Sequence, residues 1–116
     1  MQIQVNTDAN IKGRDNLVRQ IEAEINTALS QFSDQITRVE VHLSDENAVK
    51  SGLADKRCLM EARPAGRQPI AVSHEGATLE EAYSGAAMKL RSSLESTLGR
   101  ASDHKGGASI RTDGAM

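Results

Sequence analysis

Apolar and polar residues alternate from Gln2 to Asn6, which puts Ile3 and Val5 on one face of a short strand. Thr7 to Gly13 is polar and reads as a loop. The period then becomes three and four. Leu17, Ile21, Ile25, Ala28, Leu29 and Phe32 form the stripe of an amphipathic helix that begins at Asp15 or Asn16. Arg19, Ala23 and Asn26 fall on its far side, and Ser33-Asp34 ends it. Beyond Asp34 the period drops to two. Val39, Val41 and Leu43 share one face, and Arg38, Glu40 and His42 the other. Ser44 to Asp55 keeps no period and reads as a loop. Lys56 to Arg63 alternates again, with Cys58, Met60 and Ala62 set against Arg57, Leu59, Glu61 and Arg63. Pro64-Ala65-Gly66 is a turn into a last strand, Gln68 to Glu75, with Ile70 and Val72 inward. Thr78-Leu79-Glu80-Glu81 is a capping-box pattern. It opens a helix striped by Leu79, Ala82, Tyr83, Ala86, Leu90 and Leu94, with Gly99 as its stop.

The predicted order is strand, helix, three strands, helix. Each helix has one apolar stripe and the strands have one apolar face. The economical fold is α+β with two layers, β-α-β-β-β-α: a four-stranded mixed sheet with both helices on one face. The first strand, helix and second strand form a crossover unit, so those two strands pair in parallel and the others antiparallel. Residues 1–100 make one domain. Residues 101–116, rich in Gly, Ser and Ala, read as a flexible C-terminal tail.

Composition narrows the choice of function. The chain has 116 residues, 14 Lys and Arg against 16 Asp and Glu, and a net charge of −2, so it is not a globally basic nucleic-acid binder. With one Phe, one Tyr and no Trp, the core rests on aliphatic residues and Met. Phe32 and Tyr83 both fall on helical stripes, so base stacking on a sheet face is not expected. One cysteine excludes an intramolecular disulfide and a Cys-rich zinc site. The chain shows no apolar run of about 20 residues and no signal-peptide pattern at Met1 to Asn6. A soluble cytoplasmic protein is expected.

The chemistry-bearing residues are read as follows. Arg38, Arg57 and Arg63 share a face with Glu40 and Glu61, as cross-strand ion pairs or a mixed-charge docking surface. Lys50, Lys56 and Arg57 join Arg63 and Arg67 near adjacent strand ends as the strongest basic concentration, a candidate phosphate patch. His42 and His74 are read as surface or structural histidines, and Cys58 as a small buried hydrophobe. The glycines match no phosphate-binding loop, and no spacing identifies an acyl-transfer triad or a hydrolytic carboxylate pair. A non-enzyme without metal or cofactor is expected.

Element order and local signatures together resemble the ribosome hibernation-promoting factor and ribosome-associated inhibitor family, also called sigma-54 modulation proteins. The carriers are the opening Met-Gln-Ile-Gln-Val strand, the helix Asp15 to Phe32, and the strand Ile36 to Leu43. The closing helix with Leu79, Ala82, Lys89-Leu90 and Leu94 completes them. The resemblance spans roughly Met1 to Arg100 and implies a double-stranded-RNA-binding-like fold. It also implies a hibernation or translation-inhibition factor that docks on the small ribosomal subunit near the decoding region, where tRNA and mRNA would otherwise lie. Basic side chains on helices and nearby loops would then contact ribosomal RNA. Lys89, in the Lys-Leu pair, matches such a position, and Arg91 lies beside it. The RNA contacts expected are Lys89 and Arg91, helped by Lys50, Lys56 and Arg57. The alternative is a protein-interaction module of the same fold with a reduced RNA surface. It follows from Glu22, Glu24 and a nearly uncharged solvent side of the last helix: Glu81, Gly85, Met88, Ser92 and Ser96.

Overall fold

The structure is a computed structural model that describes residues 1–8, 11, 13–45 and 56–99. The elements follow the predicted order: β1 Gln2–Thr7, α1 Arg14–Ala28, β2 Ile36–Asp45, β3 Lys56–Pro64, β4 Ile70–Gly76 and α2 Leu79–Leu94. The sheet order is β1-β2-β3-β4. β1 pairs with β2 in parallel (Val5 opposite Val41), and the other two pairings are antiparallel. The inward residues Val39, Val41, Leu43, Cys58, Met60 and Ala62 form one core with both helical stripes. The fold is therefore the expected two-layer α+β arrangement. The segment 101–116 and the loop 46–55, Lys50 with it, lie outside the described residues.

Local chemistry explains several boundaries. Gly13 precedes α1 with φ of 69°, a left-handed conformation that glycine adopts without a Cβ penalty. The stripe of α1 continues to Phe32, but the α-helix stops at Ala28. Leu29 leaves helical geometry, and Ser30–Phe32 forms a tighter 3-10 turn that still buries the Phe32 ring. A five-residue π turn, Glu95–Gly99, extends α2 and keeps Leu98 in the core.

β2 carries a register shift between Ile36 and Arg38. Strict alternation would put Ile36 on the same face as Arg38. The extra residue returns it to the core at 2% exposure, and Thr37 Oγ1 donates to the Arg63 carbonyl at 2.9 Å.

The capping box at α2 forms as predicted. Thr78 Oγ1 accepts from the Glu81 amide at 3.1 Å, and Glu81 Oε1 accepts from the Ala77 amide at 3.0 Å. Thr78→Ala is expected to cost about 1 kcal/mol. Urea denaturation should show the midpoint fall with an unchanged slope.

A candidate nucleic-acid interface

The two layers differ in charge. Among the described residues the helical layer, from Arg14 to Phe32 and from Leu79 to Gly99, has four cations against six carboxylates. The strands and the β3–β4 turn have five cations against four carboxylates. A surface for phosphates is thus electrostatically better placed on the sheet side.

Three of the four helical cations, Arg14, Lys89 and Arg91, make contacts within the chain. Lys89 Nζ donates to the Ser73 carbonyl on edge strand β4 at 2.9 Å. Arg14 Nη2 donates to the Val5 carbonyl on the opposite edge strand, β1, at 3.4 Å. A helix cation thus occupies a carbonyl on each edge strand, which blunts edge-to-edge pairing. The Arg14 contact carries no local sequence signal, because its carbonyl belongs to another element. Arg91 sits about 200° around the helix from Lys89 and pairs with Glu95 at 3.3 Å. Lys89 and Arg91 therefore do not act as one patch.

Gly85, which a helical wheel places towards solvent, instead lies against the His74 ring. A Cβ there would stand 2.0 Å from the imidazole Cδ2. The helix crosses close to edge strand β4, and only a missing side chain permits that approach. Met88 stays open at 68% exposure, with exposed Ser92 and Ser96 on the same helix.

The cleft between the helices is lined by Gln20, Ala23, Glu24, Thr27, Glu80 and Tyr83. The Tyr83 hydroxyl donates to Gln20 Oε1 at 3.4 Å. Burial first, then the charges of Glu80 and Glu24, push its pKa above the usual phenol value. This cleft would repel phosphates.

The open sheet face is ordered in cross-strand rows. Arg38 stands opposite Arg63 and Glu40 opposite Glu61; Leu59 lies between His42 and Ser73, and Arg57 between Ser44 and Glu75. Each strand pairs its own charges: Arg38 with Glu40 at 2.8 Å and Arg63 with Glu61 at 3.5 Å. Arg38 also donates to Gln4 Oε1 of β1. His42 lies 3.5 Å from Glu40. Leu59 is 38% exposed, the one large apolar side chain of this face that reaches solvent among the described residues.

The expected basic concentration is not assembled. Lys56 and Arg57 begin β3, whereas Arg63 ends it and Arg67 lies in the following turn. Arg57 and Arg63 are six residues apart on an extended strand, roughly 20 Å. Lys56 pairs with Asp45 at 3.5 Å across the β2–β3 ladder. The length of the predicted strand from Lys56 to Arg63 already sets Lys56 and Arg57 at the opposite end from Arg63.

His42 faces the open side and His74 the helical side, so the two do not converge. Cys58 is fully buried, and burial pushes its thiol up to about 12, which suits a core side chain and not a nucleophile. No described helix is long and apolar enough to cross a membrane.

Comparison with solved structures gives the same fold. The Thermus thermophilus Protein Y N-terminal domain is 20% identical with a TM-score of 0.67, covering 84% of this chain and 99% of that one. A ribosomal subunit interface protein from Coxiella burnetii is 15% identical with a TM-score of 0.67, covering 84% and 97%. No curated protein matches the chain. The family model for sigma-54 modulation protein / S30EA ribosomal protein matches residues 3–102, nearly the whole chain, and the chain belongs to that family.

Proposed function

We propose that this protein is a ribosome-associated hibernation factor. It binds ribosomal RNA of the small subunit near the decoding region and excludes tRNA or mRNA by occupancy. The observation that carries this reading is the family match over residues 3–102. The Coxiella burnetii protein of the same fold, described as a ribosomal subunit interface protein, points the same way. The role is a cytoplasmic, non-catalytic one, drawn on under stress. Lys89, Arg91, Lys56, Arg57 and Lys50 are proposed RNA contacts. A small protein lodged among RNA helices can present cations on more than one side, so separated positions are compatible with one docking event.

Binding to purified small subunits across a salt series tests the reading. Saturable binding that weakens steeply with salt is expected, as counterions are released from phosphates. Lys89→Ala with Arg91→Ala should weaken co-sedimentation by about tenfold and leave the melting temperature nearly unchanged, because both side chains are exposed. Unchanged co-sedimentation would remove those two residues. No binding at low salt would remove the proposal. The exposed Met88 and the acidic helical layer favour a second reading, a protein-interaction module. A defined protein partner retained after nuclease treatment would favour that second reading.

A further inference from the structure

We infer that the principal phosphate anchor of this chain is the guanidinium pair at one end of the open sheet face, formed by Arg38 and Arg63, with Arg67 in the turn that follows, and that its occupant is an RNA phosphodiester backbone crossing the strands. The inference rests on the RNA-binding reading above and names its surface, which lies on the opposite layer from the helices.

The first support is the register. Arg38 and Arg63 are direct partners across β2 and β3, with Cα atoms about 5 Å apart. Glu40 and Glu61 are partners two residues further along. Like charges placed opposite one another disfavour the pairing. Alternation of sign across the strands would be better for folding. Instead the ladder separates charge into a row of guanidinium groups and a row of carboxylates about 6.7 Å away.

The second support is how loosely the row is held. Arg63 is 51% exposed, with one 3.5 Å contact to Glu61. Arg67 is exposed in the turn that passes through Gly66, and it makes no ion pair among the described residues. Arg38 is better fixed, by Glu40 and Gln4, but its Nε is enclosed without a hydrogen-bond partner. Arg67 can therefore turn to a ligand without breaking an ion pair, and exposed Arg63 by giving up one 3.5 Å contact. Exposed Gln2, the β1 partner of Arg38, extends the row with a neutral amide.

The third support is exclusion elsewhere. The cleft between the helices carries Glu24 and Glu80, and the helical layer has an excess of carboxylates. On the open face the Glu40–Glu61 row bars a polyanion from the middle of the sheet. A backbone seated on the arginines must therefore run across the strands near the β3–β4 turn. Guanidinium groups suit this role, since each presents paired donors to phosphate oxygens.

The test uses Arg63→Gln with Arg67→Gln, both at exposed positions, and Glu61→Gln as the opposite change. In the small-subunit salt series the double variant is expected to bind about tenfold more weakly, with the log–log salt slope reduced by roughly one for each phosphate no longer neutralised. Glu61→Gln is expected to bind more tightly. If wild-type protein binds and neither change alters the affinity, the arginine row is not the anchor, although the proposed function stands. If wild-type protein does not bind small subunits, the proposed function fails. The arginine row is then decided by following arginine Nε–Hε resonances during titration with a short RNA hairpin. Movement of Arg38, Arg63 and Arg67 supports the row. Movement confined to helical residues, or none, overturns it.

Discussion

Replacing Leu90 with alanine is expected to cost about 2–5 kcal/mol and to be the most damaging of the single substitutions considered for this fold. Leu90 is fully enclosed in the middle of α2, the helix that closes the core over the sheet. Its removal loses the transfer free energy of the side chain and leaves a void that the surroundings fill only in part. A domain of this size has about 5–15 kcal/mol of stability in all, so one such change consumes a large share of it. Urea denaturation followed by circular dichroism should show a lower midpoint at an unchanged slope. A loss below about 1 kcal/mol would mean that α2 does not seal the core over the sheet. The contrast with Thr78→Ala on the same helix is informative. The cap satisfies one amide at an exposed end, whereas Leu90 holds a whole layer together.

Leu90 is also one of the positions most legible in the sequence, and the reason is physical. Burial on one side imposes a period, and a period can be read without knowing the partner. That is why the stripe from Leu79 to Leu94, the alternation from Val39 to Leu43 and the alternation through Cys58, Met60 and Ala62 all define the core correctly. What the periods leave out is set by a second element. Ile36 breaks the alternation because a bulge beside Arg63 turns it inward, and a bulge is a property of two strands. Gly85 falls on the polar side of a helical wheel, yet it meets His74 because the helix runs close to an edge strand. The end of α1 at Ala28 is invisible in the stripe, since a 3-10 turn can carry Phe32 into the same core.

The candidate site is less legible for the same reason. Parity alone places Arg38, Arg63, Glu40 and Glu61 on one face. It cannot say whether an arginine stands opposite a glutamate or opposite another arginine, because a register slip of two residues keeps every parity and exchanges those partners. The separation of Lys56 and Arg57 from Arg63 and Arg67 is legible, since the predicted strand from Lys56 to Arg63 carries them to opposite ends of β3. The basic concentration read from the sequence therefore resolves into an Asp45-paired Lys56, an Arg57 beside Glu75 in register, and a distinct arginine row.

That register makes the second large prediction, in which stability and binding should move in opposite directions. Exchanging the charges on β3, Glu61→Arg with Arg63→Glu, keeps composition, net charge and the same-strand pairing of opposite charges. It changes only what lies across the ladder: position 63 would present a carboxylate to Arg38, and position 61 a guanidinium to Glu40. Two like-charge oppositions become two attractive ones, each worth about 0.2–1 kcal/mol. The exchanged protein should therefore be more stable by about 1 kcal/mol in urea denaturation. The same exchange puts a carboxylate into the guanidinium row, directly opposite Arg38. Affinity for small subunits should fall by at least about tenfold at moderate salt, with a shallower salt slope. A protein that loses affinity because it is less well folded cannot give this pair of results. Greater stability with undiminished binding would mean that the in-register arginines are a tolerated imperfection of the sheet. Greater stability with lost binding would mean that the like-charge register is retained for the ligand, at a cost to folding, as expected where a binding site conflicts with the most stable arrangement of the same side chains.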